Sequence, residues 1–455
     1  MSVLAIELND AGVLPASATL VGEKADGCAR YTDALIETGQ AARAVARLLP
    51  HEVENAYWHQ LSLEPMSRQT TVAQSFADLA HAQLVDVFAP YKATTERVVM
   101  AIPSSFSARQ LGLLLGICQR ADIPVTGLVD ASVAAVCHPV PGRRMLHIDA
   151  TNHCVLINEL RVEQGLHRGD VTRLDNVGLL DFTDRWATVL GDIFVKQTRF
   201  DPLHSAQSEQ YLYNQIPAAI DAWHAGDENT TMVSEGNEHI AEINTADMVA
   251  SVAGLYQPMV NAIHAQTDSA SVTTVLLSHR VARLPGFEAL VADNERVRVV
   301  TLDEYAVTRS VLQQPEQFES EAGQFALVKA KPWQETPSVV PDRQQPTESR
   351  SRDLATHVLI ENQIYALGDE PFVIGTSPAS NQRAYQVTGA VKGVSRQHCS
   401  LTRRSGQVVL DDMSTYGTHI NGKPAASSQP LAVGDRISLG NPGIEIRLVR
   451  EADHG

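Results

Sequence analysis

The chain has 455 residues, roughly three times the ~150 of a typical domain, so a single small module is excluded. Hydrophobic residues make up 44% and charged residues 20%, the composition of a packed globular protein and not of a disordered one. The net charge of −17 repels polyanions, which removes nucleic acid and anionic membrane from the expected partners.

All of the acid excess lies in residues 1–350, because from residue 351 onward ten Lys/Arg balance ten Asp/Glu. The five cysteines (Cys28, Cys118, Cys137, Cys154, Cys399) are scattered without a CxxC pair, which argues against a disulfide framework or a zinc ribbon and predicts reduced thiols. The opening MSVLAIEL has no basic segment leading into an apolar run, and no stretch approaches the ~18 apolar residues of a membrane span. A cytoplasmic protein without membrane insertion is expected.

From the N-terminus, strand-like runs RVVMAIP (97–103), RMLHID (144–149) and TTVLLS (273–278) alternate with helical stretches at 107–121 and 245–263. That alternation predicts an α/β architecture. In the second helix Thr245 is the expected N-cap, and Met248, Val249, Val252 and Leu255 recur at helical spacing. The polar, acidic segment 226–239 is expected to be an exposed loop. No internal repeat is visible.

The runs VLAIELNDAG (3–12), VVMAIPSSFSARQ (98–110), ADIPVTGLVDASVAAV (121–136), MLHIDATNHCVLINEL (145–160), VLLSHRVARLPGF (275–287) and LDEYAVTRSV (302–311) fall in the order of the actin-like ATPases. In particular, residues 1–315 resemble the nucleotide-binding domain of heat-shock chaperones. The resemblance implies a two-lobed α/β actin-like ATPase fold with phosphate-binding hairpins that need glycine so backbone N–H groups can approach the phosphates. In the first hairpin the family's Asp, Gly, Thr and Thr fall on Glu7, Asn9, Asp10 and Ala11. In the second, Asp149 is kept, but the glycine run falls on Thr151, Asn152, His153 and Cys154. The adenosine-side glycines fall on His279 and Arg280, and the catalytic Glu falls on Ala131.

Asp10 would set a carboxylate against a triphosphate, and no water-orienting Glu remains for phosphoryl transfer. Glu7, Asp10, Asp149 and Thr151 are therefore expected to form a vestigial nucleotide site, in a pseudo-ATPase that has no catalytic residue and uses no cofactor, Mg-ATP included, with residual nucleotide binding without hydrolysis as the alternative. His147, Asp149, His153 and Cys154 are metal-type ligands within eight residues, with 147 and 149 on one strand face. The hairpin explains their spacing, and no metal site is expected.

Residues 331–353 carry Pro332, Pro337, Pro341 and Pro346 in a Gln/Ser/Glu-rich context, and are expected to be a linker between domain 1–330 and domain 354–450. Beyond it, short alternating strands separated by Gly, Asn, Asp and Pro predict an all-β sandwich. Ile374-Gly375-Thr376, Ser395-Arg396-Gln397-His398 and DDMSTYGTHING (411–422) follow one another, and this segment resembles a forkhead-associated (FHA) domain.

The resemblance implies phosphothreonine contacts from Ser395 and Thr415, with Arg396 and Gly417 beside them and His398 bracing the loop. Gly375, Asn421 and Gly422 become structural positions. Thr376 replaces the family's phosphate-gripping Arg and Tyr416 its Asn, which weakens phosphate binding unless Lys392, Arg396 or Arg383 supplies the charge. The expected function is a non-enzymatic scaffold: a pseudo-ATPase domain tethered to an FHA module that docks a protein partner, in a phosphothreonine-dependent mode if the charge is restored. A working ATPase coupled to FHA docking and an actin-like filament former are the alternatives.

Overall fold

A computed structural model describes all residues except 1, 21, 138–139, 141–142, 235, 237, 268–271, 321–324, 334–356, 361–362, 369, 380–382, 388–392, 405–406, 416, 421–422, 426–427, 432–435, 440–443 and 450–455. Lys392, Tyr416, Asn421, Gly422 and most of the expected linker lie outside the described residues. The chain divides into two compact units, residues 1–339 and 340–455.

The first unit opens with an antiparallel hairpin of β1 (Val3–Glu7) and β2 (Leu14–Ser17). A small sheet of β3 (Ala29–Tyr31), β4 (Ile36–Thr38) and β5 (Val53–Glu54) follows, with the short helix α1 (Gln40–Arg43) between β4 and β5. After α2 (Phe76–Phe88), β6 (Arg97–Ile102) returns parallel to β1, and α3 (Ala108–Arg120) leads to β7 (Val125–Asp130), parallel to β6. Ser107 caps α3 by accepting from the Gln110 N–H, where the expected helix begins. The buried helix α4 (Ala131–Ala135) comes next.

The second sheet repeats this plan. Strands β8 (Arg144–Ala150), β9 (Cys154–Val162) and β10 (Leu166–Asp175) form an antiparallel meander. Helices α5 (Leu179–Thr198) and α6 (Ala206–Ala225) precede a hairpin of β11 (Asn229–Val233) and β12 (Ile240–Asn244). Helices α7 (Thr245–Ser251) and α8 (Ala253–Gln266) lead to β13 (Thr273–Leu277), parallel to β8. Then come α9 (His279–Ala282), α10 (Phe287–Ala292), β14 (Val297–Thr301) and α11 (Ala306–Gln313).

The orders β2-β1-β6-β7 and β9-β8-β13-β14 match: a leading strand with an antiparallel partner on one side and parallel strands on the other. The repeat lives in connectivity and not in residue identities, which is why the sequence does not display it. Leu4, Ala5 and Ile6 of β1 and Met145, Leu146 and Ile148 of β8 are all buried, as strands covered on both faces require. We refer to each sheet with its covering helices as a lobe. A shared core joins the two, with Ala5, Val99 and Val129 of one sheet, Met145, Leu160 and Leu276 of the other, and α4 and α11 residues including Val133 and Val311.

Three expectations need correction. Segment 226–239 is not wholly loop, since β11 lies inside it with Met232 buried. The 245–263 helix is two helices, broken at Val252, whose N–H bonds the Val249 carbonyl in a tightened turn. Its N-cap is Asn244, one residue before Thr245, with the side chain accepting from the Ala246 N–H.

The first unit also extends past residue 330. β15 (Leu327–Val328) pairs with β7 of the first sheet, and β16 (Ala330–Lys331) pairs with β10 of the second. Lys331, the expected first residue of the linker, is held inside the fold: its Nζ donates to the Val136 carbonyl at 2.6 Å and to Ser310 Oγ at 3.2 Å. Burial lowers its pKa to about 8.

The second unit is a β-sandwich. One sheet has the order β18-β17-β27-β26-β23-β24, from β17 (His357–Ile360), β18 (Gln363–Ala366), β23 (His419–Ile420), β24 (Lys423–Pro424), β26 (Arg436–Leu439) and β27 (Ile444–Val449). The other has the order β20-β19-β21-β22-β25, from β19 (Phe372–Gly375), β20 (Ala384–Gln386), β21 (Cys399–Arg404), β22 (Gln407–Asp412) and β25 (Ser428–Leu431). Val358, Ile437 and Ile446 from one sheet meet Ile374, Leu401 and Leu410 from the other in one core. Among the described residues no helix of the chain is long and apolar enough to cross a membrane.

Candidate functional site

Two clusters of polar residues stand out, one in each unit. In the first unit Glu7 ends β1 and Asp149 lies near the end of β8, which aims both carboxylates into the space between the lobes. Arg280 of α9 sits between them, donating through Nη2 to Glu7 Oε1 at 2.7 Å and through Nη1 to Asp149 Oδ1 at 3.2 Å. All three side chains are buried.

Several of the hairpin N–H groups are occupied from within. The Asn152 N–H donates to Asp10 Oδ1 at 2.5 Å and the Ala11 N–H to Asn9 Oδ1 at 2.9 Å. The His153 and Cys154 N–H groups donate to Thr151 Oγ1 at 3.2 and 3.0 Å, so Thr151 closes its own turn and does not face outward. A cavity of about 660 Å³ adjoins the cluster, lined by Asn152, Arg280, Lys24, Phe182, Trp186 and Tyr213 among others.

Burial raises the pKa of Glu7, partly offset by Arg280 and reinforced by Asp149. Burial pushes Asp149 the same way, but Arg280, His147 and a Ser278 hydrogen bond outweigh it and hold Asp149 below the ordinary carboxylate range. Asp10 is pushed up to about 6 by burial, against the pull of the Asn152 N–H, His153 and Arg280.

These residues do not fit a magnesium-bound triphosphate. The Ala11, Asn152, His153 and Cys154 N–H groups are already bonded, and the Glu7, Asp10 and Asp149 carboxylates gather here with one guanidinium that is itself paired. The four expected vestigial residues do lie close together. Sequence reasoning missed Arg280, Asn9 and Asn152 as their partners, and the signal available was a cation at position 280 opposite the acids at positions 7 and 149. Among the described residues no group of three or more His, Cys, Asp and Glu is placed to hold a metal ion. His153 instead pairs with the Asn55 carbonyl, and the His147 ring lies against Asn158.

In the second unit the loops at one end of the sandwich bring together Thr376, Ser395, Arg396, Thr415 and Gly417. The Thr376 N–H donates to the Ser395 carbonyl at 3.1 Å, and the Thr415 N–H donates to Ser395 Oγ at 3.2 Å, with the two hydroxyls 3.5 Å apart. Gly375 is needed for close approach and not for a turn, since a Cβ there would lie 2.2 Å from the Arg396 carbonyl oxygen. Gly417 has φ +90°, where a side chain would be strained.

Asp412, missed in the sequence, braces this loop by accepting from the Ser414 N–H at 3.0 Å and from Thr418 Oγ1 at 2.8 Å. Arg396 is exposed at the site. Arg383 is not there: it precedes β20 at the far end of the β19 pairing, roughly 10 Å away at ~3.3 Å per residue, and donates to the Ala366 carbonyl.

His398, fully buried, accepts the Ser395 N–H at Nδ1 at 3.0 Å, so its neutral ring holds the loop. Burial keeps its pKa below the ordinary 6.5, against the opposing pull of Asp412. Above about pH 6.5 the ring is neutral whether the chain is folded or unfolded. Below it the unfolded chain binds a proton that the folded ring refuses, so stability falls as pH falls toward the depressed value. The sandwich transition in calorimetric melts should move to lower temperature between about pH 7 and 5. In His398→Gln that slope should flatten, and an equal slope in both proteins would exclude His398 as its source.

A comparison with curated proteins finds no match to the chain. The family model of the FHA domain matches residues 372–440. The stretch that carries Gly375, Ser395, His398 and Thr415 is therefore an FHA domain.

Proposed function

We propose that the chain is a non-enzymatic docking protein, in which a pseudo-ATPase unit of actin/chaperone type serves as a scaffold for the FHA module and the module captures a partner phosphorylated on threonine. The docking half is supported by the FHA match together with two hydroxyls, Ser395 and Thr415, at one loop end. The scaffold half is supported by the matching strand orders of the two sheets and by one observation above all, the Arg280 guanidinium seated between Glu7 and Asp149.

Titration calorimetry and phosphate-release assays on the full chain test the scaffold half. The expected result is no binding heat with Mg-ATP and no hydrolysis above the buffer blank. A magnesium-dependent turnover that disappears in Asp149→Ala would establish the rival reading, an active ATPase.

A further inference from the structure

Glu7 belongs to the first sheet, whereas Asp149 and Arg280 belong to the second sheet and the helix that follows its strand β13. The Arg280–Glu7 bond therefore crosses from one lobe to the other. It is not alone. Asn9 Nδ2 donates across the same gap to Asp149 Oδ2 and to the Ala150 carbonyl, at 3.2 Å each. Asn152 Nδ2 donates to the Asp10 carbonyl at 2.8 Å, doubling the link from the Asn152 N–H to the Asp10 carboxylate. Deeper, Arg168 of β10 donates to Asp130 at the end of β7 at 2.5 Å. Asp130 has no exposed surface.

We propose that Arg280 is a built-in tie that holds the two lobes closed without any ligand. A cleft that closes on a ligand draws its closing free energy from contacts the ligand makes to both sides. Here both sides are already joined through a cation supplied by the chain. Opening would strip Glu7 and Asp149 of their shared partner and break the Asn9 and Asn152 bonds with it. An arriving polyanion gains little by closure at the hairpins, because it meets the Glu7, Asp10 and Asp149 carboxylates there, and the Ala11, Asn152, His153 and Cys154 N–H groups are already bonded. The proposal rests on the scaffold reading in one respect: a body that stays closed unaided is what a scaffold requires.

Hydrogen–deuterium exchange on the full chain tests it, comparing wild type, Arg280→Met, Glu7→Gln and the double variant. The reporting peptides cover residues 8–13 and 150–155, with 399–412 in the other unit as the reference. Arg280→Met should speed exchange in the two hairpins about tenfold or more while the reference stays unchanged. Glu7→Gln should act at the same peptides but less, because its amide oxygen still accepts from Arg280, and the double variant should exchange no faster than Arg280→Met, because neutralising Glu7 removes one of the two carboxylates left without a cation. Mg-ATP should change nothing in the wild type.

Hairpin exchange within about twofold of wild type in Arg280→Met, or simple additivity in the double variant, would refute the tie and leave the scaffold reading standing. Slower hairpin exchange on adding Mg-ATP to the wild type would refute both, since a ligand would then be closing the cleft. If Arg280→Met fails to fold, Glu7→Ala, which removes the acceptor and leaves Arg280 paired with Asp149, decides the matter alone, with faster exchange confined to the hairpins supporting the tie and no change overturning it.

Discussion

Arg280→Ala should lower the unfolding free energy of the first unit by about 3–5 kcal/mol, because it leaves two buried carboxylates facing each other without a cation. All four tryptophans (Trp58, Trp186, Trp223, Trp333) lie in this unit, so denaturant unfolding followed by tryptophan fluorescence reports on it and not on the FHA domain. The loss comes mainly from orphaned charge and less from the lost bonds. The triple variant Arg280→Ala/Glu7→Gln/Asp149→Asn should therefore regain a large part of it. A pH series gives a second check. Without Arg280 both carboxyls shift upward on folding, so the single variant's deficit should shrink as pH falls into the ordinary carboxylate range. A triple variant as unstable as the single one would place the energy in packing around the guanidinium instead.

Thr376→Arg should tighten binding of a phosphothreonine peptide roughly ten- to a hundredfold, since a hydrogen bond to a charged group contributes about 1.5–3 kcal/mol. In the native chain Thr376 lies beside Ser395 through a backbone hydrogen bond, so an arginine there starts from the right place. The phosphate carries ~−1.5 to −2 charge at neutral pH, and hydroxyl donors from Ser395 and Thr415 cannot balance it alone. Wild-type affinity should accordingly be weak, and Ser395→Ala should abolish it. If Arg396 already provides the charge, wild-type binding will be tight, Thr376→Arg will add little, and Arg396→Ala will weaken it. Arg383, tied to the Ala366 carbonyl, should be silent in the same assay. Equal binding of phosphorylated and unphosphorylated peptide, unaffected by Ser395→Ala, would exclude phosphate recognition at this loop end.

Much of the architecture was legible because it depends on local pattern. Strands such as Arg97–Ile102 and Arg144–Ala150 announce themselves by continuous apolar runs, and the FHA loops by three spaced motifs. The β11 strand was missed because its polarity outweighed its β-branched content: Thr230, Thr231 and Val233 favour extended backbone even where only Met232 is buried. The break at Val252 was invisible because the helical period continues through it, with Met248 and Val252 buried on both sides of the turn. The cleft could be read only by halves. Glu7 and Asp149 were picked out as remnants, but their partner lies 131 residues from one and 273 from the other, and no spacing rule connects them. Asp412 was overlooked for the opposite reason: it lies at the start of the very motif it braces, DDMSTYGTHING, where the hydroxyl and glycine positions drew the functional reading.

The strap formed by β15 and β16 bears on how the chain would respond to pulling. These two-residue strands are the last described pairings of the first unit, and they are stitched to different sheets, β15 to β7 and β16 to β10. Tension arriving from a partner gripped by the FHA domain would first have to peel Trp333 from the core shared by the lobes, and would then reach Lys331. It would have to detach the ammonium from Val136 and Ser310 and unpair β16 from the second sheet before any force reached β15 and the first. The junction would therefore yield in steps, as a seam opens stitch by stitch. Apart from the contacts of Leu327, Val328 and Trp333, the cores of both lobes would be spared until the whole of residues 327–333 had come away.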